Sequence, residues 1–386
     1  MKKILFIFKY PTCIQENLKK KFDGEMNACI QMGFSVWYIE WDGNSFTLVC
    51  KNTMERKHLF NCLPMKKNIY YHSWYFIDLY KACHLALKQQ NYQYIYMRSM
   101  FCFPPVMKFV GDIKSAGIRF IMEIPTYPPG NERSNETRWI RKLAFKISGH
   151  YEKKVFENVD LFAIMGKPVD GRAYGKPAIN IVNGIDIDAT PLRHPKLKKD
   201  EIHILLLAGM SYWQGYDRVI EALKRYKGKE NIIIHFVGND GDGSLKNWMK
   251  LVQDYKLEEN VKFHGALYGK KLDEIINYAD IGIGTMGLYR KNFSSGATLK
   301  AREYMCRGLP FVYAGKDESI GDKCIYVLQV TNDDTVLDME EIADFAKQFK
   351  TMEDVPDKMR ACARENMSWI VEFQKVFKAI SEMEHS

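Results

Sequence analysis

The sequence predicts an α/β protein made of two successive units, each with a mostly parallel sheet. Three observations predict it. Short apolar runs alternate with amphipathic stretches along the chain, 386 residues exceed what one core usually supports, and a polar joint without periodicity interrupts the pattern. In the first half, strands are expected at 4–8, 35–39, 94–97, 119–123, 161–163 and 178–181, and helices over 15–32, 74–90, 104–116 and 133–158. In the second half, strands are expected at 202–207, 232–237, 261–263, 281–284, 311–313 and 325–327, and helices over 215–227, 243–256, 270–278, 297–307 and 339–349. The joint at 188–200 carries Pro191, Pro195 and several lysines. The expected division is 1–187, 188–367 and a terminal helix over 368–386. In that helix Trp369, Ile370, Phe373, Val376 and Phe377 follow the spacing of one buried face, with Ser368 as candidate N-cap. The spacing fits a helix that finishes the second unit or one that crosses back to the first.

Composition narrows the function. An apolar share of 46% with 27% charged residues is ordinary for a soluble protein, and no apolar run reaches the ~18–20 residues of a membrane span. The start, Met1-Lys2-Lys3-Ile4-Leu5-Phe6-Ile7-Phe8, imitates a signal peptide, but its apolar run is short and no small-residue cleavage site follows. Nine scattered cysteines without C-x-x-C spacing or clustered histidines read as reduced thiols of a cytoplasmic protein. Residues 1–185 carry 27 Lys+Arg against 15 Asp+Glu, and residues 186–386 carry 29 against 32. The basic surplus therefore lies in the first half, which suits an anionic partner such as a membrane surface. Arg138, Arg141, Lys142, Lys146, Lys153 and Lys154, interleaved with Trp139, Leu143 and Ile147, mark the helix for that contact at the inner membrane face. The competing reading of this stretch is a solvated face over a core-facing stripe. Dinucleotide, P-loop and serine-hydrolase motifs are missing, as are zinc-finger spacing and RNA-binding aromatics, so nucleic acid is not an expected partner.

Candidate site residues concentrate in the second half. In Ser294-Ser295-Gly296-Ala297-Thr298-Leu299-Lys300-Ala301-Arg302-Glu303, a donor-rich turn enters a helix whose free N–H groups attract phosphate. Lys300 adds a full charge, and Glu303, one turn on, suits a ribose. Gly308-Leu309-Pro310 doubles as a plain helix stop. After the strand at 202–207, Gly209 and Gly215 allow close backbone approach, while Ser211 and Gln214 can donate to phosphate oxygens. Gly238 opens Gly238-Asn239-Asp240-Gly241-Asp242, a D-x-D that reads as a turn and helix cap in preference to a metal site. Glu123 ends a buried strand and is a candidate base or sugar-orienting carboxylate, with loop capping as the alternative. Asn183-Gly184 is a turn near the joint.

These stretches together resemble the GT-B-fold glycosyltransferases of the retaining group 1 class (family 4), in particular bacterial enzymes of surface-polysaccharide and capsule assembly. The resemblance rests on Glu123-Ile124-Pro125-Thr126-Tyr127-Pro128, Asn183-Gly184-Ile185-Asp186, Trp213-Gln214-Gly215-Tyr216-Asp217-Arg218 and Leu299-Lys300-Ala301-Arg302-Glu303-Tyr304-Met305 with Gly308 and Pro310. It implies two Rossmann-like domains facing a central cleft, with the last helix crossing back to the first. It implies a nucleoside-diphosphate sugar donor on the second domain, a lipid-linked or polysaccharide acceptor on the first, retained anomeric configuration, and no metal or other cofactor. Glu303 matches the ribose-binding glutamate. Ser295 stands where relatives place a first glutamate, Met210 and Gln214 stand near their arginine and lysine, and the glycine-rich loop is reduced to Gly24-Glu25-Met26. The implied catalytic set is Glu123, Lys300 and Ser295, with Gly24, Asn183, Gly209, Ser211, Gln214, Gly215, Gly238, Ser294, Gly296, Ala297, Thr298 and Glu303 binding substrate. A GT-B epimerase or hydrolase, or a non-catalytic sugar-nucleotide binder, are the alternatives.

Overall fold

The computed structural model describes residues 1–9, 11, 18–125, 127, 139–166, 168–196, 200–321 and 324–384, without the side chains of Ile140 and Arg141. Thr126 and Pro128, the predicted helix starts at 15 and 133, Arg138 and Cys13 lie outside the described residues. The chain divides into one unit of Met1–Asp186 with Trp369–Ser386, and a second of Ile187–Ser368.

The first unit runs β1 (Lys3–Ile7), α1 (Lys19–Gln31), β2 (Ser35–Trp41), β3 (Ser45–Cys50), β4 (Arg56–Asn61), α2 (Lys67–Ser73), α3 (Tyr75–Gln89), β5 (Tyr94–Arg98), α4 (Val106–Ser115), β6 (Arg119–Ile124), α5 (Trp139–Phe156), β7 (Leu161–Ile164), β8 (Arg172–Ala173) and β9 (Lys176–Asn180). Its sheet has the order β4-β3-β2-β1-β5-β6-β7-β9-β8. From β2 to β9 the pairs are parallel and covered by helices, which is why β1 and β5 are apolar on both faces. The hairpin β3–β4 extends the edge antiparallel and was not expected from the sequence. Its outer strand opens Arg56-Lys57-His58, the polar edge that keeps a sheet from pairing further but hides a strand from an apolar-run reading.

The second unit runs β10 (Glu201–Leu207), α6 (Asp217–Arg225), β11 (Asn231–Val237), α7 (Ser244–Asp254), β12 (Val261–Phe263), α8 (Gly269–Tyr278), β13 (Ile281–Ile283), α9 (Leu299–Arg307), β14 (Phe311–Ala314), β15 (Val327–Val330), α10 (Met339–Phe349) and α11 (Val355–Asn366). Its parallel sheet has the order β12-β11-β10-β13-β14-β15. Counted from its own first strand this is the 3-2-1-4-5-6 order of a doubly wound dinucleotide fold. The chain then returns to the first unit as α12 (Trp369–Glu384). There Phe373 packs on Phe6 and Tyr96 at 5.9 and 5.1 Å, and Phe377 stacks on Phe34 at 4.4 Å. Buried Glu372 accepts from the Val182 N–H at 3.1 Å, which ties α12 beside the point where the chain leaves the unit.

Candidate active site

In a doubly wound sheet, ligands bind beyond the carboxyl ends of the strands where the winding direction reverses. In the second unit that point lies between β10 and β13. Four segments converge on it: the loop after β10, the loop after β11, the loop after β13 and the amino terminus of α9.

The loop after β10 contains a 3-10 turn at Tyr212–Gln214, ended by Gly215 at φ +67°. A Cβ on Gly215 would meet the Gly287 nitrogen and the Met286 carbonyl carbon at 2.7 Å, so only glycine lets the two loops touch. The Met286 N–H donates to the Gln214 carbonyl at 2.8 Å and seals that contact. Next in sequence, Asp217 holds Arg290 through two bonds of 2.7 Å, and Arg218 donates to the Met286 carbonyl at 2.6 Å. The Tyr212 ring carries the Arg290 guanidinium at 4.2 Å. The Gly215-Tyr216-Asp217-Arg218 string thus clips the loops after β10 and β13 into one rim. Arg290 went unnoticed in the sequence because its partner is 73 residues away.

Gly238 is demanded by geometry too, because a Cβ there would fall 1.6 Å from the Ala208 carbonyl oxygen at φ +147°. In the D-x-D that follows, Asp240 accepts from the Gly243 N–H at 2.8 Å. Asp242 accepts from the N–H groups of Tyr212 and Ser244 at 2.9 and 3.1 Å. Both carboxylates serve turns, the reading preferred from the sequence. Met210 is fully buried between these loops, with its N–H on the Asn239 carbonyl at 2.8 Å, so it brings neither charge nor contact surface to the site.

At the start of α9, Thr298 occupies the N-cap without a side-chain bond to the helix. The turn before it is pinned to the strand edge by Gly296 N–H to Lys316 carbonyl at 2.9 Å and Lys316 N–H to Ser294 carbonyl at 3.2 Å. Ser294 and Ser295 are exposed, while Gly296, Ala297 and Thr298 are half-buried. Gly209 is exposed and has open space where a Cβ would sit; Ser211 is half-buried. Lys300 reaches inward, donating to the Gln214 Oε1 and, at 2.8 Å, to the Tyr216 hydroxyl. Gln214, itself buried, also accepts from the Thr285 hydroxyl at 3.4 Å. Its oxygen therefore holds Lys300. Among the described residues no carboxylate pairs with Lys300, and burial drives its ammonium well below the usual lysine range. An arriving phosphate would supply the missing counter-charge and restore the proton.

Glu303 lies one turn along α9 and accepts from the Arg307 Nε at 3.0 Å; Arg307 also reaches Asp273 at 2.7 Å. Its carboxylate is thus partly engaged by its own helix. Gly308, at φ +77°, stops α9, and a Cβ there would strike Pro356 at 2.2 Å. Buried Arg302 grips Asp317 at 2.6 and 3.0 Å, fixing the loop after β14 to the same helix.

The candidates of the first unit are placed differently from expectation. Glu123 is completely buried at the end of β6 and does not face solvent. It accepts from Arg98 at 2.6 Å, Lys21 at 3.1 Å and the Tyr96 hydroxyl at 3.4 Å. Burial raises its pKa, but Arg98 and Lys21 outweigh that and hold it below the usual carboxylate value. A carboxylate held so firmly in its ionised form does not suit the role of general base. Lys21 also donates to the Asn183 Oδ1 at 3.3 Å, so Asn183 and Glu123 share one cation. Gly24 is corrected as well: Gly24-Glu25-Met26 lie inside α1 and not in a loop. A Cβ on Gly24 would meet the Trp369 ring at 2.5 Å, and one on Gly184 would meet it at 2.7 Å, so both glycines serve the docking of α12. Glu25, fully buried beside Lys21, is pushed up to about 7 by burial against the pull of that lysine.

Residues 190–366, most of the second unit, match the family described as glycosyl transferases group 1. The fold over 99% of the chain resembles all of a sucrose-phosphate synthase from Thermosynechococcus elongatus (TM-score 0.63, 14% identity). It also resembles 98% of a glycosyltransferase from Rickettsia africae ESF-5 (TM-score 0.62, 14% identity over 99% of this chain). A third likeness is to Anabaena HepE in complex with UDP, covered in full by 99% of this chain (TM-score 0.60, 12% identity). No curated protein matches the sequence. At these identities the structural likeness speaks for the fold, which is GT-B with two Rossmann-like domains.

Proposed function

We propose that the chain is a glycosyltransferase of group 1 that moves a hexose-type sugar from a nucleoside-diphosphate donor to a lipid-linked or polysaccharide acceptor, with retention and without a metal. The observation that carries this reading is Lys300: a buried amine that has no acidic partner among the described residues, set at the winding switch point beside a helix terminus without a side-chain cap, where a phosphate would favour its charged form. There the N–H groups of the first turn of α9 and Lys300 would receive the diphosphate. As the sugar C1–O bond breaks, its electron pair passes to a phosphate oxygen, and fixed donors aimed at that oxygen lower the barrier. With Glu123 committed to two cations, the proton of the acceptor hydroxyl passes to the departing phosphate as the new C1–O bond forms. That the similar HepE binds UDP supports a nucleotide ligand for this chain, and Glu303, one turn along α9, is the residue assigned to its ribose.

The acceptor belongs to the first unit, and α5 supports delivery from a membrane. Trp139, Leu143 and Ile147 are 73%, 51% and 39% exposed at successive turns, and exposed lysines 142, 146, 153 and 154 share that helix. These three are surface residues, so the reading of a core-facing stripe fails for them; Phe145 and Ser148 take the inward side. Among the described residues no helix is long and apolar enough to cross a membrane. An apolar row amid lysines fits the surface of an anionic bilayer.

The test is release of nucleoside diphosphate from a panel of nucleotide sugars, with and without lipid-linked acceptor. Acceptor-dependent release is expected. Release without acceptor would assign a hydrolase, and binding without turnover would assign a sugar-nucleotide-binding protein, the reading favoured by uncharged Met210 and Ser295.

A further inference from the structure

The second unit holds another site that the transfer reaction does not use. A cavity of about 250 Å³ opens at the amino-terminal edge of its sheet, where β10 and β13 begin. It lies roughly 20 Å, one strand length, from the loops at the switch point. Its volume is below the roughly 300–1,000 Å³ of pockets that take drug-sized ligands, so its occupant is small. The walls combine the cations Arg193, Lys196 and Lys350 and the carboxylates Asp280 and Glu353 with Tyr278, Phe349 and Met352.

Arg193 decides what fits. It is 5% exposed, and its Nη1 donates to the Ala279 carbonyl at 2.6 Å, a helix-end contact that employs one N–H. Its Nε is buried without a hydrogen-bond partner, and among the described residues no carboxylate forms an ion pair with it. Burial lowers its pKa to about 10, opposed by Asp280, so it stays cationic at neutral pH. Asp280 is engaged elsewhere: it accepts from the His203 N–H at 2.8 Å and pairs with Lys350 at 3.6 Å. Buried charges are ordinarily paired, and a guanidinium presents a fork that matches carboxylate and phosphate. Lys196 is exposed at the mouth, its ammonium 5.1 Å from the centre of the Tyr278 ring.

We propose that this cavity binds the oxyanion of a small organic acid, a phosphomonoester or a carboxylate, on Arg193 and Lys196, with the body of the ligand against Tyr278 and Met352. The assignment is independent of the transfer reaction, so either can fail without the other. To test it, the full chain is titrated with phenyl phosphate and, separately, with benzoate, following thermal stabilisation and ligand NMR in the wild type, Lys300→Ala, Arg193→Gln and Lys196→Glu. Saturable binding of at least one probe is expected, unchanged in Lys300→Ala and weakened about tenfold or more in Arg193→Gln and in Lys196→Glu. Lys196 is exposed, so its variant keeps the test open if Arg193→Gln does not fold. Whichever probe binds names the ligand class. Saturation by neither probe overturns the proposal, as does binding that Lys300→Ala removes and Lys196→Glu leaves intact.

Discussion

Lys300 and Glu123 show how differently two charged residues in one fold are employed. Lys300 sits beside a glutamine oxygen and a phenol, where burial disfavours its charged form until a diphosphate arrives to stabilise it. Lys300→Ala is therefore expected to reduce kcat about a hundredfold or more, the range for losing a preorganised donor, with the fold intact by circular dichroism. An unchanged kcat would reduce Lys300 to a packing role. Glu123 is the opposite case, a buried anion already satisfied by Arg98 and Lys21. Glu123→Gln leaves those cations short of a counter-ion and should cost roughly 3–5 kcal/mol of stability in denaturant unfolding. A variant that kept its stability and lost only turnover would return Glu123 to the role of base.

At the scale of elements, the helices divide labour by which face they cover. α12 buries the face that its apolar spacing announces, and Gly24 and Gly184 supply the clearance its tryptophan needs. α5 instead leaves an apolar row in solvent among lysines, a cost that membrane contact would offset. Lys142→Ala with Lys146→Ala should weaken binding to phosphatidylglycerol vesicles by roughly 2 kcal/mol, about thirtyfold, and binding to neutral vesicles far less. Equal affinity in a flotation assay for the variant and the wild type would remove the membrane from the picture.

Across the whole molecule, the two units should answer pH with opposite signs. Glu25 in the first unit is raised from 4.5 to about 7, with Lys21, Glu123 and Arg98 as the charged groups around it. Its folded form binds more protons than the unfolded chain in that window, so this unit loses stability as pH rises from 4.5 to 7. In the second unit, burial lowers His264 below 6.5, and its ring faces His235 at 2.9 Å. There the unfolded chain binds more protons, so stability is lost as pH falls below 6.5. Hydrogen exchange measured on each unit at about pH 5 and about pH 8 should show the crossing trends, with Glu25→Gln flattening the first alone. Parallel trends in both units would contradict the assignment.

What the sequence determined by itself follows from local physics. Alternating apolar runs located the central strands of both sheets, since a strand buried on two faces must be apolar throughout. The spacing of Trp369, Phe373, Val376 and Phe377 marked a buried helical face, and Gly308 marked the stop of a helix, whereas the crowding of chain on chain at Gly215 and Gly238 came only with the structure. The candidate donor segments, Lys300 among them, stood out for the same local reason: strand, tight loop and helix terminus are contiguous in sequence. Tertiary structure decided the rest because it depends on partners far apart along the chain. Arg290 finds Asp217, Arg98 and Lys21 close over Glu123, and Trp369 closes over Gly24, each across dozens to hundreds of residues. Whether a carboxylate is a base or half of a buried ion pair, and whether a glycine meets a ligand or a tryptophan, is settled by what folds against it.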